Sequence, residues 1–151
     1  MEASAPETQL AASIDKFTPE MAAFLRAARA KMRQRVPEAL ELVYDNYNFF
    51  VIGYGPTEKS GDAILSLAAH AKGVNLCLLQ GAGLPDPKRL LKGSGNVSRY
   101  VPLKSADMLD APEIEALICS ALAHAKTPLT REGRHRLLIK SISAKQRPRR
   151  P

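Results

Sequence analysis

The chain has 151 residues, of which 45% are hydrophobic and 25% are charged, and these proportions are typical of one globular domain with its own core. No apolar run approaches the roughly 20 residues that cross a bilayer, and residues 1–15 lack a basic leader, so we expect neither a membrane protein nor a secreted one. Cys77 and Cys119 are expected to be buried reduced thiols of a cytoplasmic protein, although their spacing alone leaves a disulfide open.

Positive charge is concentrated near the end of the chain. The formal net charge is +7, but nine basic residues from Lys126 onward face only Glu132, which leaves a net charge of −1 for the residues before Lys126. We therefore expect residues 127–151 to form a basic tail attached to a nearly neutral folded body. Within this tail, residues 134–143 are apolar enough to form a short element, and residues 146–151 are expected to be loose.

The N-terminal part divides into a disordered segment and a helix. Residues 1–16 have no clean hydrophobic period and are predicted to be disordered. Thr18-Pro19-Glu20 is a good helix start, with a hydroxyl N-cap, a proline at the first position and an acid in the first turn. The helix is predicted to run to about Arg35. Its apolar face comprises Met21, Phe24, Leu25, Ala28 and Met32, and its exposed face comprises Arg26, Arg29, Lys31, Arg33 and Arg35.

Strands follow the helix. Residues 42–48 and 49–54 are rich in aromatic and branched side chains and are predicted to be two strands. Residues 63–80 alternate on either side of Lys72-Gly73, which predicts an antiparallel hairpin with one buried face. A two-residue loop at Lys72-Gly73 would place Ala69 opposite Leu76. A three-residue loop would instead pair Ser66 with Leu78, and the buried pattern favours the first alternative.

The remaining segments complete an α+β pattern. Pro85-Asp86-Pro87 is predicted to open a short helix through Leu91, residues 97–103 to form a further strand, and residues 112–125 to form the clearest amphipathic helix. We expect a single antiparallel β-sheet of about five strands with helices packed on one face, in a domain spanning residues 17–126. An exposed edge strand of this sheet, from residues 97–103 or 42–48, would allow a homodimer.

Several stretches together resemble a known family. They are residues 36–39 leading into the first strands, the hairpin at residues 67–76, and residues 93–103 followed by residues 112–118. This order of segments is similar to the YdhG-like domain of unknown function, a small bacterial cytoplasmic α+β domain. Some of its members are described as frataxin-like iron chaperones, so the resemblance implies iron as a cargo. Frataxin-type binding uses an acidic ridge on the first helix, whereas that helix here carries Glu20 and five basic residues.

The metal-binding hypothesis depends on four residues. Glu38, Glu41 and Asp45 are close in sequence, and His70 lies at the end of the hairpin. No spacing of a closed zinc or di-iron site occurs, so the pattern indicates at most a carboxylate site for a hard cation. Ordinary solvent-exposed positions explain Glu38, Glu41 and His70 more simply.

Other candidate sites have equally simple structural explanations. Tyr44, Tyr47, Phe49, Phe50 and Tyr54 crowd the first two strands, and the set that does not join the core could line a groove for a small ligand. The glycine-rich residues 92–96 and Arg99 could bind an anion, but a tight turn is favoured. Cys77 and Cys119 are more typical of small core residues than of nucleophiles.

The basic tail is the basis of a second hypothesis. Its clustered cations would gain from counterion release on DNA or RNA, without sequence preference because aromatic residues for stacking are absent. The residues concerned are Arg131, Arg134, Arg136, Lys140, Lys145, Arg147, Arg149 and Arg150. The sequence therefore predicts a small non-enzymatic binding or chaperone-type protein for iron, another small ligand or a protein partner. The alternative is a nucleic-acid-associated protein that binds through its tail.

Overall fold

In the computed structural model, which describes residues 5–151, six strands form one mixed β-sheet in the order β5-β4-β3-β2-β1-β6. Neighbouring strands are antiparallel except for β1 and β6, which are parallel. The strands are β1 (Leu40–Asp45), β2 (Phe50–Gly55), β3 (Leu65–His70), β4 (Gly73–Leu78), β5 (Arg99–Leu103) and β6 (Leu137–Ile142). The helices are α1 (Ala5–Ile14), α2 (Pro19–Arg35) and α3 (Pro112–Ala123).

The α+β class is confirmed, but the sheet differs from the prediction in two ways. It has six strands instead of about five, and it is mixed instead of purely antiparallel. The additional strand, β6, comes from the segment that was expected to be a separate tail. Leu137 and Ile139 of β6 pair with Glu41 and Val43 of β1 and pack against the core, which gives this segment a reason to join the sheet.

All three helices share one hydrophobic core with one face of the sheet. Strand residues alternate between the two faces, so every second residue of β1 to β5 points into this core. The inward positions include Phe50, Ile52, Leu67 and Leu76, all fully buried. The helices contribute Leu10 and Ile14 from α1, Ala22, Leu25, Ala28 and Met32 from α2, and Ile114, Leu117, Ile118 and Ala121 from α3.

The start of α2 forms as predicted. The Thr18 hydroxyl accepts a hydrogen bond from the Met21 backbone N–H at 3.2 Å, and Pro19 occupies the first helical position. The helix ends at Arg35, where the Val36 N–H still donates to the Met32 carbonyl at 2.8 Å.

The expectation of disorder before residue 17 is wrong for the described residues 5–16. Residues 5–14 form α1, because Leu10 and Ile14, four positions apart, lie on one helical face and are buried with Phe17. The first four residues of that predicted segment lie outside the described residues.

The β3–β4 hairpin forms, but with a register that neither alternative predicted. Its loop is Ala71-Lys72, so that His70 pairs with Gly73, Ala69 with Val74 and Leu67 with Leu76. The reason is local: the Lys72 N–H donates to His70 Nδ1 at 3.2 Å, so the imidazole closes the turn and Gly73 becomes the first strand residue. The difference of two from the favoured register keeps the buried face unchanged.

Residues 85–91, which lie between β4 and β5, are not helical, contrary to the prediction. The Asp86 carboxylate accepts hydrogen bonds from the backbone N–H groups of Leu90 and Leu91, both at 2.8 Å, and so stabilises a turn. The predicted strand and helix that follow are confirmed as β5 and α3. Within residues 5–151, no helix is both long enough and apolar enough to cross a membrane.

Candidate functional site

Two carboxylates lie on the buried face of β1. Glu41, Val43 and Asp45 alternate with outward residues, so both acids point into the layer between sheet and helices, and their side chains are 0% and 1% exposed. A buried carboxylate is costly unless it is paired and hydrogen-bonded. The partners of each acid therefore decide whether it is available for a ligand.

Glu41 is fully engaged by its neighbours. Arg29 of α2 forms a forked ion pair with it, with Nη2 2.8 Å from Oε1 and Nε 3.0 Å from Oε2. Its other partners are the Tyr54 hydroxyl, which donates to Oε2 at 2.8 Å, and two groups near Oε1, the His135 imidazole at 2.7 Å and Arg33 Nε at 3.9 Å. Arg29 also binds Glu7 of α1, so this cluster joins both N-terminal helices, the sheet and the segment before β6.

Asp45 is engaged in the same way by residues distant in sequence. Ser13 Oγ and Lys16 Nζ both donate to Oδ2 at 2.7 Å, and Arg149 Nη2 donates to Oδ1 at 2.8 Å. The Arg149 side chain is 3% exposed, and its guanidinium lies 5.9 Å from the Phe17 ring centre. Residues 146–151 are therefore not loose, contrary to the prediction, because this arginine is the buried counterion of Asp45.

The pKa values of both carboxyl groups in the folded protein are lower than their ordinary values. Burial by itself would raise the pKa of Glu41, but hydrogen bonds from Arg29, His135 and Tyr54 outweigh it, and the pKa lies below 4.5. Burial likewise opposes the lowering for Asp45, but Lys16, Arg149 and Ser13 bring its pKa below 3.8. Both acids are thus held as charged groups in ionic networks that tie distant segments together.

Acid should destabilise the protein through these two groups. Because both pKa values are lower in the folded state, the unfolded chain binds protons first, and stability present above pH 4.5 is lost as the pH falls through the two values. The urea concentration at the unfolding midpoint, measured from pH 7 to pH 3, is expected to decrease mainly below pH 4.5. Asp45→Asn should make the acid-side decline shallower, and an unchanged decline would contradict the assignment.

The four residues of the metal hypothesis do not form one site. Glu41 and Asp45 are occupied by the arginines and the lysine described above. Glu38 lies in the turn before β1, and His70 lies at the far end of β3, where it closes the hairpin. Among residues 5–151 no group of three or more His, Cys, Asp or Glu side chains could hold a metal ion.

The eight basic residues of the nucleic-acid hypothesis also have different environments. Arg149 is buried, Arg136 pairs with Glu58 at 2.8 Å, and Lys140 donates to the Glu58 carbonyl at 3.0 Å. Arg147 lies over the Tyr47 ring, and Arg150 binds the carbonyls of Asp15 and Lys16. Only Arg131, Arg134 and Lys145 lack a partner among the described residues, so a nucleic-acid test needs substitutions there.

The opposite face of the sheet carries an open groove of about 570 Å³. Its floor is built from short outward side chains in neighbouring strands. Val51, Ala68 and Asn75 are cross-strand neighbours in β2, β3 and β4, and the next row is Ser66, Cys77 and Tyr100 in β3, β4 and β5. No residue of the three helices lines the groove. Short side chains flanked by larger ones produce a depression in a surface that is otherwise flat.

Larger groups form the walls of the groove. Phe49 stands just before β2 and contacts the His70 ring edge-to-face, with ring centres 5.8 Å apart. Tyr100 and Leu79 border the groove elsewhere, together with Gly95, Ser98 and Arg99. Phe49 is 40% exposed and Tyr100 36% exposed, so both rings retain free surface. A volume of this size suits a small organic molecule.

Two polar groups interrupt the apolar floor. The Asn75 side-chain amide has no hydrogen-bond partner among the described residues, so both its donor and its acceptor are free for a ligand. Burial raises the pKa of the Cys77 thiol, and a hydrogen bond with Ser66 opposes this only in part. Cys77 therefore stays protonated near neutral pH and acts as a small apolar surface.

The structure places the other candidate residues from the sequence in different environments, some in the core and some at the surface. Of the five aromatic residues in the first strands, Phe50 and Tyr54 join the core, whereas Tyr47 and Phe49 are exposed. Phe49 belongs to the groove, as the ligand hypothesis anticipated for part of this set. Both cysteines are free thiols, but neither is the core residue that the sequence predicted, because Cys77 is half-buried in the groove lining and Cys119 is exposed. Cys119 lies at the surface because it is on the polar side of α3, where Arg35 Nη2 is 2.7 Å from its sulfur.

No family model, no curated protein and no solved structure matches this chain.

Proposed function

We propose that this protein binds a small, largely apolar organic molecule in the groove on the outer face of its sheet. One observation carries the proposal: the face of the sheet opposite the three helices has a floor of short side chains between two exposed aromatic rings. An antiparallel sheet with one face in water normally presents polar side chains there. Val51, Ala68, Cys77 and Leu79 are instead apolar, and this surface suits a ligand better than water.

The groove supports binding better than the inner face does. The two inner carboxylates of β1 already bind cations from other segments, so they offer little to a ligand. The groove, in contrast, has the free Asn75 amide at its centre and the surfaces of Phe49 and Tyr100 at its borders. Aromatic walls with a few placed polar groups are characteristic of small-molecule sites. The strands supply a rigid support, since the positions of the floor residues are fixed by the ladder.

Filling the groove should abolish binding. Ala68 is 8% exposed and points outward from β3, so in Ala68→Trp the indole must occupy the groove. We expect the neutral fluorescent probe N-phenyl-1-naphthylamine to bind the wild-type chain with enhanced emission. Its affinity should fall at least about tenfold in Ala68→Trp, equivalent to about 1.4 kcal/mol. Fluorescence titration measures both constants.

The matched control is Ala27→Trp, which adds the same side chain at an exposed position of α2 and should bind the probe like the wild type. Circular dichroism establishes whether each variant is folded. Should Ala68→Trp fail to fold, Tyr100→Ala removes a wall without overfilling the floor and should also weaken binding. Wild-type affinity in both groove variants would refute the proposal.

A further inference from the structure

Resting on the proposed function, we infer that the ligand is a small organic monoanion of the aryl carboxylate type. Its ring would lie on the short side chains of the floor, and its carboxylate would lie at the end of the groove near Arg99. Charge, unused hydrogen-bond donors and the rigidity of this end support the inference independently of one another.

The charge of the groove is the first argument. Among the eleven residues that line it, Arg99 is the one charged residue, and the lining contains no aspartate or glutamate. The side chains that remain are apolar or neutral. A ligand that fills the groove therefore meets a single positive charge at one end of an apolar surface. A dianion such as a phosphate monoester would carry more charge than this end can balance, whereas a monoanion is matched.

Unused donors at the same end are the second argument. Arg99 Nη1 donates to the carbonyls of Gly95 and Ser98, while its Nε and Nη2 have no acceptor among the described residues. The backbone N–H groups of Gly95 and Ser98 likewise have no acceptor in residues 5–151. Two guanidinium donors and two backbone donors thus border one end of the groove, and a carboxylate is the acceptor that uses a guanidinium in a forked geometry.

The rigidity of this end is the third argument. Gly81 packs against Arg99 so closely that a Cβ at position 81 would lie 2.9 Å from the Arg99 Cβ. Gly93 has a φ of +118°, which only glycine adopts readily, and the loop that it begins supplies the two carbonyls that hold Arg99. The guanidinium is consequently held in place before any ligand arrives, which lowers the entropic cost of binding.

The test compares two probes that share a ring and differ in charge: 2-naphthoate and 2-naphthylmethanol. Calorimetric titration of the full chain at low salt is expected to show about tenfold tighter binding of the carboxylate, as charge-assisted hydrogen bonds typically provide. Arg99→Gln should remove this preference, because it weakens binding of the carboxylate more than binding of the alcohol. Arg131→Gln, which deletes an exposed arginine remote from the groove lining, should retain the preference.

The outcomes separate this inference from the function on which it rests. Equal affinity for both probes, with both lost in Ala68→Trp, would overturn the inference and leave groove binding intact. A carboxylate preference that survives in Arg99→Gln would also overturn it, because the charge would then lie elsewhere. Failure of the wild-type chain to bind either probe would overturn both the inference and the proposed function.

Discussion

Arg29→Met is expected to lower the free energy of unfolding by about 3–5 kcal/mol, because it removes the forked ion pair of a buried carboxylate. Arg29 donates through Nε and Nη2 to Glu41, whose side chain is 0% exposed. After the substitution the Tyr54 hydroxyl and the His135 imidazole still contact this charge, and Arg33 Nε remains 3.9 Å from Oε1. Methionine replaces the apolar stem of arginine and removes the guanidinium, so the loss reports mainly on the charge and its hydrogen bonds. Urea denaturation at pH 7 measures the change.

A neighbouring position provides the matched control. Arg26 is also on α2 and also pairs with an acid, Asp15, but both side chains are largely exposed. Arg26→Met should therefore change the free energy of unfolding by less than about 1 kcal/mol. The double variant Arg29→Met with Glu41→Met should be more stable than Arg29→Met alone, because it removes the buried charge. Equal losses for Arg29→Met and Arg26→Met would contradict the buried ion pair.

Local patterns predicted the elements whose partners are near in sequence. The alternation in residues 63–80 identified the buried faces of β3 and β4, and Thr18 together with Pro19 identified the start of α2. The register of the hairpin was missed because the His70 side chain closes the turn, and no propensity describes that bond. This error did not change the predicted buried face, because a register shift of two residues keeps every side chain on the same face of the sheet.

The elements that the sequence did not predict depend on distant partners. Strand β6 joins β1 across most of the chain, and Arg149 reaches Asp45 over a separation of 104 residues. One signal was present: Glu41 and Asp45 occupy positions of the same parity as Val43 in an otherwise apolar strand. Two acids on a buried face require two cations, but the sequence contains 22 lysines and arginines, and composition does not assign the pairs.

The groove was only partly accessible to sequence reasoning. Alternation alone places Gly53, Ser66, Ala68 and Cys77 on one face, and all four are short. Whether they adjoin depends on the strand order β5-β4-β3-β2, which follows from the hairpins. The sequence offered residues 92–96 and Arg99 as a candidate anion site but favoured a tight turn, because it could not show that this loop folds back beside the sheet to form a wall of the groove.

Ending the chain at Lys126 is expected to abolish cooperative unfolding. The deletion removes β6, so β1 loses its parallel partner, and it also removes His135 and Arg149, which contact the two buried carboxylates. Asp45 would then keep only Ser13 and Lys16 as partners. Thermal denaturation followed by circular dichroism should show a broad loss of signal in place of a single transition.

A substitution within the intact chain measures the contribution of the buried charge to stability separately from that of β6. Arg149→Met removes the ion pair with Asp45 while keeping β6, and it should lower the free energy of unfolding by about 3 kcal/mol. Arg147→Met is the matched control, because Arg147 is exposed and lies 5.4 Å from the centre of the Tyr47 ring. It should cost less than about 1 kcal/mol. A chain ending at Lys126 that melts like the full chain would mean that residues 127–151 are an appendage, and the buried contact of Arg149 with Asp45 would then contribute nothing to the fold.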